Sequence, residues 1–271
     1  MSEPFFGLES GAFERAGLSV EVTTLSSGGT QVQACAGDNI DVGVADVIQI
    51  TNAINAGIPL AVFAGAALYS SDAPTTALLV ARDGPIVSAK DFEGKAIALN
   101  SLHSLSEIAT REWLRQNGAD PALVKFLEIS GSAMIESVVR GTVAGGLPGE
   151  PHLTIGKDRL RLLAKPYDVV AKVFPIAVFF ARRNWLTGNP DVSRRLTAAI
   201  YETARWANGH PDASALIVEK HAKLDAALVH RMTRARYATA LEPQSLQPVV
   251  DIAAKYKAVK QPIAAADLVA L

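Results

Sequence analysis

Short apolar runs alternate with amphipathic segments along the first two-thirds of the chain. Alternating apolar residues predict a strand over residues 18–24, and continuous apolar runs predict buried strands over 40–45 and 60–64. Between the second and third strands, apolar positions recur at helical spacing over residues 47–56, and Gly57 ends that helix. Connections this short between strands and helices favour a mainly parallel α/β sheet.

The same alternation restarts further along the chain. We predict a strand over residues 96–99 and a helix over 104–117. Ser104 and Glu107 have the Ser-x-x-Glu spacing of a capping box at the start of this helix, and Gly118 follows its end. These elements predict a second α/β unit inserted into the first.

The C-terminal part of the chain is predicted to be helical. A strongly apolar strand over residues 174–181 returns the chain to the first unit, and Pro190, Pro211 and Pro243 lie at the starts of helices. We expect these helices to pack on the first unit. The predicted division is residues 1–82 and 176–271 for the first lobe and residues 83–175 for the second.

A polar turn containing Gly28 and Gly29 precedes a short helix. Ser27 or Thr30 can cap this helix, and Gly37 is placed to end it. Because the two glycines lack a Cβ atom, a ligand could approach the amides of the first turn closely. Those amides and the helix dipole favour an anionic or strongly polar group. An ordinary capped helix with nothing bound explains the same residues.

Composition excludes several classes of function. With 49% hydrophobic and 20% charged residues, the chain has the composition of a globular rather than a disordered protein. Its 26 basic and 27 acidic residues give a net charge of −1 without a basic block, so no nucleic-acid partner is expected. The most apolar run, residues 58–68, is shorter than the roughly 20 residues of a membrane helix.

The sequence lacks the common catalytic and metal-binding motifs. It contains no His-Glu-x-x-His, no Walker phosphate loop, no Gly-x-Ser-x-Gly and no Gly-x-Gly-x-x-Gly after a strand. The single cysteine, Cys35, excludes an intramolecular disulfide, and its alanine neighbours favour a small buried side chain over a catalytic thiolate. We therefore expect no enzyme activity, no metal and no cofactor.

Several sequence phrases, in the same order along the chain, resemble the family of solute-binding proteins for aliphatic sulfonates, nitrate and taurine that serve ABC importers. Residues 11–22 (GAFERAGLSVEV) are similar to the family's opening, and residues 36–43 (AGDNIDVG) and 56–60 (AGIPL) follow in its order. Residues 91–98 (DFEGKAIA) resemble the entry to its second domain. Residues 149–151 (GEP) stand where the family usually has Trp-Glu-Pro.

The resemblance implies a two-lobed type II periplasmic-binding-protein fold. Each lobe would be a mainly parallel sheet flanked by helices, and two crossing strands, near residues 75–82 and 174–182, would join the lobes and let them close on a ligand. Ligand groups would come from loops at the carboxyl ends of strands and from helix N-termini. The implied ligand-binding residues are Phe5, Phe6, Ser27, Gly28, Ala45, Asp46, Tyr69, Ser101, His103, Ser104, Gly149 and Glu150.

The chain departs from this family at two places. The family begins with a β-strand ahead of its first helix, whereas Pro4, Phe5 and Phe6 stand here at the first ligand loop with no strand before them. Either one sheet lacks a strand or the chosen start codon is too late. Residues 147–150 lack the tryptophan that would wall the ligand site, so the resemblance does not by itself assign sulfonate specificity.

Other roles are open for several of these residues. Asp46 and Ser104 have the positions of helix N-caps. Glu150 has Arg82 or Arg182 as an alternative partner. The aromatic residues either line an apolar slot or fill the core, and core is favoured for the last of them; they are Phe5, Phe6, Tyr69 and Phe174.

The function that these observations favour is solute binding for an ABC importer. The ligand would be a small organic anion, such as a sulfonate, nitrate, taurine or an aromatic or carboxylic acid, and the partner an ABC permease in the inner membrane. We expect a monomer in the periplasm with its leader missing from this sequence, or in the cytoplasm if Met1 is the true start. The alternative is a cytosolic enzyme on the same fold, of the menaquinone-pathway or thiamine-pyrimidine synthase type.

Overall fold

The computed structural model describes residues 2–270 of the chain, so both ends of the predicted division, Met1 and Leu271, lie outside the described residues. The described chain forms two compact units. Of the described residues, unit 1 contains 2–68, Phe174–His230 and 236–270, and unit 2 contains Tyr69–Val173 and Arg231–Ala235.

Most of the helices lie in unit 1, and unit 2 contains a five-stranded sheet. The α-helices are α1 (Glu3–Glu9), α2 (Ala12–Arg15), α3 (Gly28–Ala36), α4 (Val47–Asn55), α5 (Leu105–Gln116), α6 (Gly131–Val139), α7 (His152–Lys157), α8 (Arg183–Gly188), α9 (Pro190–Gly209), α10 (Pro211–Ala222), α11 (Ala226–Arg231), α12 (Gln247–Lys255) and α13 (Ala265–Leu268). The strands are β1 (Val42–Ala45), β2 (Leu60–Gly65), β3 (Ala67–Ser70), β4 (Leu78–Ala81), β5 (Ala96–Leu99), β6 (Lys125–Glu128), β7 (Gly145–Leu147), β8 (Leu160–Ala164), β9 (Val173–Pro175), β10 (Val178–Arg182) and β11 (Arg236–Tyr237).

The main sheet of unit 1 has the strand order β1-β10-β2. The central strand β10 is antiparallel to both neighbours, with Phe179 opposite Val44 and Phe180 opposite Val62. The two outer strands therefore run in the same direction. The long helix α9 packs on this sheet through Leu196 and other buried side chains, as predicted for the C-terminal helices.

The sheet of unit 2 has the order β6-β5-β7-β4-β8. Strands β5, β6 and β7 are parallel, while β4 is antiparallel to β7 and β8. Leu99 lies opposite both Glu128 and Leu147, so the carboxyl ends of β5, β6 and β7 are level at one edge of the sheet. The expected mainly parallel α/β architecture is confirmed, because all strands of this sheet except β4 share one direction.

The boundary between the units differs from the predicted one. Strand β4 was assigned to the first lobe as part of a crossing strand, but it pairs within the sheet of unit 2. The chain passes into unit 2 earlier, between Leu68 and Tyr69, and returns between Val173 and Phe174. It enters unit 2 once more for Arg231–Ala235, a passage that the sequence pattern did not indicate.

The predicted strand over residues 18–24 is not formed. Residues 18–25 lie outside every helix and strand, and for 19–25 the described chain shows no backbone–backbone hydrogen bond. Residues 18–24 therefore have the alternating pattern of a strand but do not pair with a neighbouring strand.

Over residues 2–270, none of the helices combines the length and the apolar run that crossing a membrane requires.

Candidate functional site

The polar turn before α3 forms the predicted helix cap. The hydroxyl oxygen of Ser27 accepts the N–H of Thr30 at 3.2 Å, and the hydroxyl oxygen of Thr30 accepts the N–H of Ser27 at 3.0 Å. Together these two bonds make a capping box. Because the first amides of a helix have no partner within it, the N–H groups of Gly28 and Gly29 stay available to a ligand.

Gly28 packs closely against the end of β1 and the start of α4. A Cβ atom on Gly28 would lie 2.4 Å from Oε1 of Gln49 and 3.2 Å from the Cα of Ala45. Asp46 caps α4, since its Oδ1 accepts the N–H of Gln49 at 2.9 Å. The structure therefore brings four predicted site residues together in unit 1: Ser27, Gly28, Ala45 and Asp46.

The N-termini of α3 and α4, both in unit 1, differ in charge. Asp46 places a carboxylate at the start of α4, where it offsets the positive end of the helix dipole. The first turn of α3 holds no acidic residue, and its cap is made by neutral hydroxyl groups. An anion is therefore favoured at α3 rather than at α4. Asp46 acts as the N-cap, which was the alternative reading of this residue.

In unit 2, the loop after β5 contains three predicted site residues. The buried hydroxyl of Ser104 donates to the carbonyl oxygen of Ser101 at 2.8 Å and also pairs with the hydroxyl of Ser106. Ser104 begins α5 without a side-chain cap bond, so the predicted capping box does not form. The carboxylate of Glu107 instead accepts the N–H of His103 at 2.8 Å.

His103 is the most accessible of these loop residues. Its side chain is exposed, and its backbone is in the left-handed region, with φ +53°. The hydrogen bond from its N–H to Glu107 holds this uncommon conformation. Glu107 in turn forms an ion pair with Arg111 at 2.8 Å, one turn along α5. The loop thus presents an imidazole to solvent on a backbone that is fixed by α5.

Glu150 is engaged by its own unit. Its carboxylate accepts the N–H of Thr154 at 3.0 Å, the hydroxyl of Thr154 at 2.9 Å and the N–H of Thr233 at 3.1 Å. The two bonds with Thr154 lie in the first turn of α7, and the bond from Thr233 ties the segment Arg231–Ala235 to the rest of unit 2. Gly149 lies beside Glu150, opposite Thr76 in an isolated antiparallel bridge.

The predicted arginine partners of Glu150 are wrong. Arg82 donates instead to the carbonyl oxygens of Lys157 and Leu160, at 2.9 and 3.2 Å. Arg182 forms an ion pair with Asp38. Both guanidinium groups bind acceptors near the ends of their own strands. The Glu150 carboxylate accepts its hydrogen bonds from Thr154 and Thr233 instead.

Three of the aromatic residues considered for the ligand site pack against other parts of the protein. Phe6 is fully buried, and its ring contacts those of Trp206 and Tyr237 at centroid distances of 6.4 and 5.6 Å. Phe5 is half-buried and stacks on His221 at 4.2 Å. Phe174, 2% exposed, is part of the core as favoured from the sequence. We therefore remove Phe6 from the candidate site.

Tyr69 is also a structural residue. It is fully buried, and its hydroxyl donates to Oδ1 of Asp168 at 2.6 Å. Burial and this hydrogen bond raise the pKa of Tyr69 far above its ordinary value, so the phenol stays protonated. Ser71 donates to the other carboxylate oxygen of Asp168 at 2.9 Å. Tyr69 therefore holds a carboxylate within unit 2 and leaves the candidate site.

Sequence reasoning missed the N-terminus of α6. Ser130 and Gly131 follow β6 at the same sheet edge as the loops after β5 and β7, and the first turn of α6 has no acidic residue. Gly131 lies against His152, because a Cβ atom there would be 2.1 Å from the imidazole Cδ2. Burial lowers the pKa of His152, with the charge of Glu150 acting in the opposite direction. A sequence signal for this site exists: Ser130-Gly131 directly before a helix repeats the pattern of Ser27-Gly28.

Across the part of the chain that the structure describes, histidine, cysteine and carboxylate side chains do not gather in groups of three or more that could hold a metal ion. The polar groups that remain for a ligand are backbone amides, hydroxyl groups and imidazoles. Such a set can bind an anion without a metal.

These features define a class of protein. Two α/β units, with polar groups at strand carboxyl ends and helix N-termini, are the architecture of the two-lobed periplasmic binding proteins, as the resemblance predicted. The chain belongs to the NMT1/THI5-like family, whose model matches residues 4–214. Comparison with curated protein sequences gives no match.

Solved structures with the same fold include binding proteins and an enzyme. The ligand-binding component of an ABC-type import system from Staphylococcus aureus is 14% identical, with a TM-score of 0.83 over 99% of this chain and 92% of that chain. The periplasmic aliphatic sulphonate binding protein SsuA from Escherichia coli is 16% identical, with a TM-score of 0.79 over 100% and 89%. The desulfurization enzyme DSZB is 14% identical, with a TM-score of 0.71 over 99% and 93%. At these identities the likeness shows the fold.

Proposed function

We propose that the protein is the solute-binding component of an ABC importer and that it binds a small organic anion without chemical change. The observation that carries this proposal is the N-terminus of α3, where Gly28 and Gly29 offer amides in a first turn with no acidic residue. The ABC-import and sulphonate-binding proteins that share the fold support the role.

The proposed ligand is a sulfonate, nitrate, taurine or an aromatic or carboxylic acid. We assign one anion-binding position to each unit, the N-terminus of α3 in unit 1 and the N-terminus of α6 in unit 2, because neither first turn contains an acid. His103 and His152 supply further hydrogen bonds. His152 does so as a neutral imidazole, since burial lowers its pKa. A ligand that contacts both units favours their closed arrangement, which is the proposed basis of recognition by the permease.

The proposal places the protein in the periplasm as a monomer, with an ABC permease as its partner. The shared fold of a periplasmic sulphonate-binding protein supports this location. Binding at backbone amides requires no cofactor, and the polar groups gathered at the sheet edges suit capture of an anion.

An added negative charge at either helix N-terminus tests the site. We expect Gly29→Asp and Ser132→Asp each to lower the affinity for an anion by about tenfold or more, because like charges repel over a few ångströms. The same substitutions should leave the fold intact, since an acid in the first helical turn is favourable for the helix. Affinity is measured by isothermal titration with taurine, methanesulfonate, nitrate and benzoate.

Ala213→Asp is the matched control. It places the same charge in the first turn of α10, at an exposed position of unit 1. Unchanged anion binding in Ala213→Asp, with weakened binding in the other two variants, supports the assignment. Equal affinities in all three variants would contradict it.

The second candidate is an enzyme on the same fold. The observation that favours it is the structural likeness to the desulfurization enzyme DSZB. Incubation of the protein with each bound anion, followed by mass spectrometry of the recovered ligand, separates the two functions. Recovery of the intact ligand supports binding, and a new product would support catalysis.

A further inference from the structure

At the end of α11 the chain re-enters unit 2 for five residues, Arg231–Ala235, the return segment. Two of these residues contact the two ends of α7. The N–H of Thr233 donates at 3.1 Å to Oε1 of Glu150, which precedes α7. Nη2 of Arg231 donates to Oδ1 and Oδ2 of Asp158, which follows α7, at 2.8 Å in both cases. The return segment therefore holds α7 at both ends.

Helix α7 is too short to be stable by itself. It has six residues, and isolated helices of fewer than about 12 residues are marginal in water. Its apolar face is held by the core of unit 2, where Leu153 is fully buried and a Cβ atom on Gly156 would lie 2.5 Å from Cδ1 of Leu79. The core thus fixes one face of α7, and the return segment binds the polar groups at its ends.

The charges at the ends of α7 give the two contacts different roles. A carboxylate near the start of a helix is favourable, whereas one at its C-terminal end is unfavourable. Glu150 has the first position and Asp158 the second, so the guanidinium of Arg231 offsets the unfavourable charge. The side chains of Arg231 and Asp158 are 55% and 60% exposed, and the ion pair therefore contributes modestly. The bond from Thr233 to Glu150 is partly buried and should contribute more.

His152, the first residue of α7, joins this helix to the candidate ligand site. A Cβ atom on Gly131, at the start of α6, would lie 2.1 Å from Cδ2 of the imidazole and 2.8 Å from its Nε2. Burial lowers the pKa of His152, and the nearby charge of Glu150 has the smaller, opposite effect. A displacement of the start of α7 would therefore move the imidazole away from the N-terminus of α6 and change its hydration.

We propose that Arg231 and Thr233 are positioning residues for the anion site of unit 2. Acting through Asp158 and Glu150, they hold α7 so that the imidazole of His152 stays at the N-terminus of α6. The site in unit 2 thus depends on residues that lie 73 and 83 positions further along the chain than their partners. The part of this inference that concerns anion binding rests on the proposed function, and the part that concerns the position of His152 does not.

Substitutions in the return segment test the inference, each with a matched control. Arg231→Gln removes the charge that pairs with Asp158, and Arg231→Lys keeps it. Thr233→Pro removes the N–H that Glu150 accepts, and Thr233→Ala keeps it. Arg236→Gln makes the same change of charge at an exposed position in unit 1. All variants are made in the full chain.

Two measurements are made on each variant. The pKa of His152 is measured by NMR titration of its imidazole protons, which are assigned with the variant His152→Asn. The affinity for taurine, methanesulfonate, nitrate and benzoate is measured by isothermal titration. The first measurement requires no ligand, and a general loss of stability without movement of α7 would not change it.

We expect both disruptive variants to raise the pKa of His152 toward its ordinary value, because the imidazole becomes better hydrated. Anion affinity should fall about two- to fivefold in Arg231→Gln, as suits an exposed ion pair, and about tenfold in Thr233→Pro. Arg231→Lys, Thr233→Ala and Arg236→Gln should match the original chain in both measurements.

A double-mutant cycle shows whether Arg231 acts through Asp158. Asp158→Asn should have the same effects as Arg231→Gln, and the double variant should show no further change. Additive losses would mean that Arg231 acts elsewhere, which would overturn its assigned role. If Thr233→Pro does not fold, the Arg231 and Asp158 variants decide the question by themselves.

The remaining outcomes separate this inference from the proposed function. An unchanged pKa of His152 in Arg231→Gln and Thr233→Pro would overturn the positioning of α7. A changed pKa with unchanged anion affinity would overturn the role of the return segment in the anion site. If the original chain binds none of the four anions, the proposed function fails, and the titration of His152 still decides whether the return segment holds α7.

Discussion

Gly28 shapes the candidate site directly because it has no side chain. Gly28→Ala forces Gln49 to move and presses on Ala45, whose Cβ would be 3.1 Å away. We expect a loss of about 1 kcal/mol or more in the free energy of unfolding, and weaker anion binding because Gln49 is displaced toward the amides. Urea unfolding and titration with taurine check both effects.

Gly29→Ala is the control for this substitution. A Cβ atom on Gly29 would meet its nearest neighbours at 3.8 Å, an ordinary contact. Alanine is also the better helix former, so this variant should be as stable as the original chain or gain up to about 1 kcal/mol. A Gly28→Ala variant as stable as Gly29→Ala would show that the packing around Gly28 is looser than the structure indicates.

Glu3 predicts a pH dependence of stability. The residue is 1% exposed, and in the described chain neither of its carboxylate oxygens has a hydrogen-bond partner. Burial raises the pKa of Glu3 well above its ordinary value, so the folded chain holds the proton more tightly than the unfolded chain. The stability linked to that proton is present at low pH and is lost as the pH rises through the folded-state pKa. Glu3→Gln should therefore be more stable than the original chain at about pH 8.

The comparison uses melting temperatures at about pH 5 and about pH 8. Glu3→Gln should lose less stability over this interval than the original chain. Glu14→Gln, an exposed substitution on the neighbouring helix α2, should follow the original chain. Parallel pH profiles for all three proteins would mean that burial does not raise the pKa of Glu3.

At the scale of single residues, the sequence predicted the roles that depend on near neighbours. The caps formed by Ser27 and Asp46 involve partners three residues away, and both are found in the structure. Tyr69 was misassigned because its partner, Asp168, lies 99 residues further along the chain. Phe6 fills the core, one of the two roles left open for it, and Tyr237 contacts its ring from the far end of the sequence.

Helix α3 is the element on which the proposed anion site depends. Ser27→Ala removes the hydroxyl that accepts the N–H of Thr30, so it should lower the free energy of unfolding by about 0.5–2 kcal/mol. Urea unfolding measures this loss. Ser26→Ala changes an exposed neighbour and should leave stability within about 0.5 kcal/mol. A loss in Ser27→Ala no larger than in Ser26→Ala would show that the capping box does not stabilise the helix.

At the scale of elements, periodicity predicted most helices and strands but not whether each strand finds a partner. Residues 18–24 alternate as a strand should, yet a strand forms only where neighbouring backbone completes the ladder. The boundary of α5 was predicted within a residue, while its capping box was wrong because Glu107 reaches the N–H of His103. The rotamer of Glu107 decides whether its carboxylate accepts the N–H of Ser104 or that of His103, and no sequence pattern specifies this rotamer.

At the scale of the whole molecule, the two-unit organisation could be predicted from the restart of the alternation, but the boundary could not. Strand β4 has the same apolar composition as the strands of unit 1, so composition does not assign it to a sheet. Its pairing with β7 and β8 does. The brief return of the chain for Arg231–Ala235 depends on the bond from Thr233 to Glu150, which joins residues 83 positions apart.

The central claim is that the protein binds a small organic anion and leaves it unchanged. The most direct test is a thermal shift assay with taurine, methanesulfonate, nitrate and benzoate, run on the original chain and on the double variant Gly29→Asp/Ser132→Asp. We predict that at least one anion raises the melting temperature of the original chain, that the shift is lost in the double variant, and that the anion is recovered intact. No shift with any of the anions, or an equal shift in the double variant, would contradict it.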